Sequence, residues 1–263
     1  MFSIGQSEIT KIKHYIESHF SNAENFCYKN EDVDQSKTIL VTDGLDSVQV
    51  LDMLINKNLK CVLQNSIQDL QAKIQILLRV GSNKGLFFDS SFSFIDGNIM
   101  IQKFTSLDDR ESILENFFLF NNLDLEMVKN QKLYQVTQEL IMNAQIDAPK
   151  FAQDQKDKVS SVIIEKNESL NLVAISVIDE YGSLSISKML DKMYKAHSQG
   201  FRESMSEIGH GAGLGSAMLY HCVDSLSIGC IPGKKTRVTA IMPLGLSEKK
   251  IDLIQKSICI VEV

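Results

Sequence analysis

The stretch GHGAGLGSAMLYHCVD places Gly209, Gly211, Gly213 and Gly215 at alternate positions and then turns helical, with Leu214, Ala217, Met218, His221 and Cys222 on one face. Glycines admit backbone angles closed to other residues and let the main chain approach a ligand, and the helix that follows offers free N–H groups and a positive dipole end. Such a loop can hold an anion such as phosphate, although glycines before a helix also serve as ordinary loop punctuation. The spacing G-x-G-x-G is neither that of a dinucleotide fold nor that of a P-loop. Elsewhere, VTQELIMNAQIDA sets Glu139 and Asn143 four residues apart, so both project from one face of a helix. Asp179 closes the apolar run ISVID just before Gly182, and Thr236 lies on a later apolar run. Singly, each also suits a solvated helix face or a turn.

Taken together and in this order, ELIMNA, ISVID, the glycine loop and GKKTRVTAIMPL resemble the GHKL ATPase superfamily, over the segment from Val128 to Leu244. The resemblance implies an ATP-binding domain with Mg2+ as cofactor. It assigns Asn143 to the metal and the nucleotide phosphates, and Glu139 to the catalytic base. Asp179 would accept from the adenine amino group, with Gly182 beside it; Gly211, Gly213 and Gly215 would meet the phosphates; Thr236 would support the adenine site. Magnesium takes few protein oxygens and keeps water and phosphate as its other ligands, which one asparagine suits. The polar region from Gly182 to His210 would be the ATP lid.

The chain departs from the family at the first glycine box, which reads DEYGS: Tyr181 and Ser183 stand at the two glycine positions, and Gly182 sits one place late. Tyr181 would crowd the adenine or stack on it. Ile146 and Asp147 stand where histidine kinases commonly carry a basic residue and a histidine or tyrosine, so Lys192, Lys195 or Arg202 would have to supply the positive charge. The segment 107–132 has no histidine, and His14 is remote from it, which argues against autophosphorylation of the usual kind. His197 and His210 fall in the lid.

These residues need a scaffold. The spacing predicts a helix over 128–148, carrying a stripe of Leu133, Val136, Leu140 and Ala144 and ending before Pro149. It predicts a hairpin of SSVIIEKN with LNLVAISVID through Glu168 and Ser169, and a second of SLSIGCI with TRVTAIMPL around Pro232 and Gly233. This order suits an α/β fold, a two-layer sandwich of helices on a mixed, mostly antiparallel sheet, for residues 126–263. Residues 1–125 read as a smaller, degenerate receiver-like or sensory α/β domain. It comprises a helix over 7–20, a β-α-β unit from KTILVTD through CVLQNS, a helix through Leu70 and Leu78, strands KGLFFD and FSFIDGNIMIQKF, and a helix capped at Ser106. Asp43 and Asp89 are its acidic candidates, with Asp89 the one candidate phosphoacceptor.

Composition bounds the rest. With 263 residues, 44% of them hydrophobic, and a net charge of −6, the chain is a folded protein without the basic surface that nucleic acid or an anionic membrane demands. No run of 18 apolar residues occurs, and the five cysteines show no C-x-x-C pair, so neither a membrane span nor a disulfide framework nor a zinc site is expected. The expected protein is cytoplasmic, a signalling ATP-binder with a protein partner and a possible homodimer. The alternatives are a non-catalytic scaffold with Tyr181 in the adenine pocket, and an ATP-driven clamp.

Overall fold

The computed structural model describes residues 39–42, 45–64, 73, 84–106, 109–122, 128–152, 158–200, 214–244, 250 and 253–261. The helix expected over 7–20, His14, Asp43, the helix through Leu70 and Leu78, Arg202, His210, Gly209, Gly211 and Gly213 lie outside them.

An eight-stranded mixed sheet runs in the order β1-β2-β8-β6-β7-β5-β4-β3. Its strands are β1 (Ile39–Thr42), β2 (Cys61–Gln64), β3 (Asn98–Phe104), β4 (Ser160–Asn167), β5 (Leu172–Asp179), β6 (Ser225–Ile231), β7 (Lys235–Pro243) and β8 (Ser257–Val261). Among the described residues only β1/β2 and β6/β8 pair in parallel. The parallel pair β1/β2 is joined by α1 (Ser47–Ile55), as a β-α-β unit requires. Asp46 starts α1 with a capping box: its carboxylate accepts from Gln49 N while the Gln49 side chain accepts from Asp46 N.

Both expected hairpins form. In the first, Asn167 Oδ1 accepts from Leu170 N at 3.0 Å and Asn171 takes a positive φ of 52°, which closes the turn between β4 and β5. The strands of residues 1–125 and of 126–263 share the one sheet, since β2 pairs with β8 and β3 pairs with β4.

Helices cover one face. They are α3 (Arg110–Asn121), α4 (Val128–Met142), α6 (Ile186–Gln199) and α7 (Leu214–Cys222), with α1 packed on α6, and α7 packed on both α6 and α4. Leu133, Val136, Leu140 and Ala144 are buried, as their spacing predicts, against Val173, Ile175, Val177, Ala240 and Met242 of the sheet. The helix does not stop before Pro149. After Met142 it widens into a π turn (Asn143–Asp147), where Ala148 N–H donates to Asn143 O, and then continues as a short α5 (Ala148–Phe151) with Pro149 in its first turn. Proline lacks an N–H and its ring crowds a preceding carbonyl; the wider turn removes both objections.

The other face carries the larger departures from expectation. KGLFFD is no strand: Lys84–Phe87 form one helical turn, α2, which seats Phe87 and Phe88 against the sheet with Phe92, Phe94 and Ile95. The site is cut for them, because a Cβ at Gly229 of β6 would lie 2.5 Å from Phe87 Cε1 and 3.0 Å from Phe88 Cζ. Of FSFIDGNIMIQKF only Asn98–Phe104 is strand; Asp96, at φ 50°, turns the chain into it. Ser106 does not cap α3. Asp109 stands at that cap, and its carboxylate accepts from Thr105 N and Ser106 N instead.

Two buried ionisable side chains clamp this Phe-rich strap. Arg237, fully buried, donates through Nη1 to the carbonyls of Phe87 (2.8 Å) and Asp89 (2.9 Å) and through Nη2 to Ser176 Oγ (2.9 Å), with its guanidinium 4.7 Å from the Phe94 ring centre. Glu165 Oε2 accepts from Phe94 N at 2.8 Å, Ile95 N at 3.1 Å and Ser93 Oγ at 2.8 Å. Burial brings the Arg237 pKa down to about 10, which leaves it charged at neutral pH.

Cys61 and Cys259 are opposite one another across β2 and β8 and form a disulfide between residues 198 apart in sequence. The scattered cysteine spacing carried no hint of it. Among the described residues no helix is long and apolar enough to cross a membrane.

Candidate functional site

Period-two alternation decides which strand residues can meet the helices. Val173, Ile175 and Val177 of β5 face the helical layer, so Asp179 does too. On β7, Val238, Ala240 and Met242 set the same side for Thr236, and Thr236 stands directly across from Asp179 in the ladder. Asp179 is buried, 6% exposed, at a strand end where a carboxylate must find donors. Its Oδ1 accepts from the N–H groups of Tyr181 at 2.9 Å and Gly182 at 3.1 Å, and the Thr236 hydroxyl bonds to the same carboxylate. Burial raises its pKa above the usual carboxylate range, with these three hydrogen bonds opposing the rise. Cys230, on the neighbouring strand, has its sulfur 3.9 Å from Thr236 Oγ1, and burial raises its thiol pKa.

Gly182 sits here for a backbone reason. Its φ is +58°, its carbonyl accepts from Gly233 N at 3.0 Å, and a Cβ would run into the main chain of the β6–β7 turn at Ile231 and Lys234. Tyr181 is buried, its hydroxyl accepting from Lys158 N at 3.0 Å and its ring 5.3 Å from Lys158 Nζ. Ser183 donates to the carbonyl of Ala148 at 2.7 Å, which ties the loop after Asp179 to the end of the π turn.

That π turn begins at Asn143, whose side chain hydrogen-bonds Glu139 one turn earlier. Burial raises the Glu139 pKa above its ordinary value, the Asn143 bond works against this, and the Asp147 charge adds to it. Gly215 opens α7 against the same carboxylate: a Cβ at this glycine would overlap the Glu139 carboxyl group. Glu139, Asn143 and Gly215 therefore meet where α4 and α7 pack, while Asp179, Gly182 and Thr236 meet at the β5–β7 end, and Ser183 links the two groups. Gly211 and Gly213 belong to the undescribed residues.

The structure revises the reading of the lid. Residues 186–199 form an amphipathic helix, α6, that buries Met189, Leu190, Met193 and Ala196 in the core. Lys188 and Lys195 are exposed and Lys192 is half-buried. The i, i+1, i+4, i+7 apolar spacing was available as a signal, but charged residues between the apolar ones hid it. His197 also leaves the lid reading: its ring lies 5.3 Å from that of Tyr220, with Nε2 3.4 Å from Ala217 O, and burial lowers its pKa. Asp89 is exposed in a turn after α2, its carboxylate accepting from Ser91 N and Ser91 Oγ, both at 2.8 Å, and not at a strand end.

Sequence reasoning missed Ser183 as a tie between elements, because its hydroxyl was read only as a lost glycine. Among the described residues no group of three or more His, Cys, Asp or Glu side chains is placed to hold a metal. Asn143 offers one carboxamide oxygen, which suits a Mg2+ completed by phosphate and water. Comparison with protein-family models and with curated proteins finds no match.

Proposed function

We propose that this protein binds Mg-ATP between α4, α7 and the β5–β7 strand ends, as a signalling ATPase or protein kinase of the GHKL type. The observation that carries the reading is the pairing of two sets on one side of the sheet: Asp179 with Thr236, and Glu139 with Asn143 and Gly215. Asp179, with Thr236 beside it, recognises the adenine amino group. Asn143 would hold Mg2+, which would draw charge from the phosphates when bound. The raised pKa of Glu139 suits a group that takes the proton of an attacking hydroxyl. Gly211 and Gly213 would supply amides to the phosphates. The acceptor is a Ser or Thr of a partner protein, and the β1-α1-β2 unit, degenerate as a receiver, connects input to the site through α1 on α6. The proposed compartment is the cytoplasm.

A second reading has its own support. One Asp179 oxygen is already taken by two loop amides, and the Glu139 carboxylate fills the approach to Gly215, as in a closed, non-catalytic scaffold that sequesters a regulator. Titration of the full chain with ATP and Mg2+ separates the two. The nucleotide reading predicts saturable binding that Asn143→Ala weakens only when Mg2+ is present. No heat or spectral change up to about 5 mM ATP, an affinity weaker than about −3 kcal/mol, leaves the scaffold.

A further inference from the structure

The C-terminal end of α5 leaves a carbonyl without its helical partner. Ala152 N–H bonds to Pro149 O, so Ala148 O, which a regular helix would pair with residue 152, needs a donor from outside. Ser183 Oγ supplies it at 2.7 Å, from 35 residues away in sequence. Ser183 lies four residues beyond Asp179, in a loop pinned on one side by Gly182 to the β6–β7 turn and on the other by Tyr181 to Lys158. Ala148 in turn closes the π turn by donating to Asn143 O. A short bonded path therefore runs from the Asp179 loop through Ser183 and Ala148 to the backbone of Asn143. A glycine at position 183 could not make it.

We propose that Ser183 is a positioning residue of the nucleotide site, fixing the distance between the adenine end at Asp179 and the metal end at Asn143. This role rests on the Mg-ATP reading above. The exchange of glycines for Tyr181 and Ser183 is then a rewired loop, fastened at three points, in which Ser183 matters only to a ligand that spans both ends.

Adenosine reaches one end and Mg-ATP reaches both, so the two ligands are titrated against the full chain, Ser183→Ala and Ser183→Thr. Ser183→Ala weakens Mg-ATP about five- to tenfold, the effect of one such hydrogen bond, and changes adenosine by less than about twofold. Ser183→Thr, which keeps the hydroxyl, restores Mg-ATP binding. In the ligand-free protein, amide exchange of residues 148–152 quickens in the alanine variant. If the alanine variant does not fold, Ser183→Cys replaces it in the same comparison. Equal loss of both ligands, or unchanged Mg-ATP binding and amide exchange, overturns the role while leaving the nucleotide reading in place. A parent protein that binds neither ligand removes the reading and this role with it.

Discussion

At Glu139 burial works against the charged form of the side chain. Its carboxyl is held above the ordinary range chiefly by desolvation, so folding favours the protonated form. The contribution to stability is therefore present in acid and lost as pH rises through the raised folded value. Glu139→Gln keeps the bond to Asn143 and removes the charge, so its melting temperature exceeds the parent's by about 2 °C at pH 7, with the gap closing near pH 4, as differential scanning calorimetry at both pH values will show. Gly215 is the counterpart. A Cβ there meets the Glu139 carboxyl, so Gly215→Ala costs about 1–3 kcal/mol in chemical denaturation, and combination with Glu139→Ala recovers most of it. Additive losses would show that the two residues do not share the space. All three positions were legible in the sequence, Glu139 and Asn143 on one helix face from their four-residue spacing and Gly215 from its place at a helix start. Their direct contact was not, because it depends on how α4 and α7 pack.

At the scale of elements, the strap over the second sheet face depends on side chains that replace missing secondary structure. Arg237 feeds carbonyls of residues 87 and 89, and Glu165 takes the amides of 94 and 95. Arg237→Met leaves those carbonyls without their donor in the interior and removes the positive charge near Glu165. The expected loss is about 3–5 kcal/mol, with faster amide exchange confined first to residues 87–96. KGLFFD reads as a strand from its apolar run alone, and nothing local reveals that an arginine 150 residues later will hold it as a helical turn. The opposite holds for the two hairpins, where alternation and turn residues lie within one short segment. The π turn belongs between these cases: Pro149 signals a helix end, and the wider turn over Asn143–Asp147, with Ala144 buried in the core, carries the helix past it.

For the whole molecule, the sheet crosses residue 125 at both flanks. Strand β3 pairs with β4, β2 pairs with β8, and the Cys61–Cys259 disulfide spans the second junction. A fragment of residues 126–263 would lose both neighbours and the strap beneath Arg237, so it is expected to expose the Phe-facing side of the sheet and aggregate, whereas the full chain stays monodisperse in size-exclusion chromatography. Joining residues 198 apart, the disulfide is expected to add about 3–5 kcal/mol, readable as the denaturation difference between oxidised parent and Cys61→Ser. The hydrophobic patterns made strands and helices on either side of residue 125 legible, but a ladder between distant strands leaves no local mark. ATP carries at C6 the amino group that Asp179 is proposed to read, where GTP carries an oxo group beside N1–H and a 2-amino group, so the decisive measurement is the affinity of the parent and of Asp179→Asn for both with Mg2+. The account predicts that the parent prefers ATP by about tenfold or more and that Asp179→Asn loses this preference. Equal affinities in the parent, or a preference that survives the substitution, would contradict it.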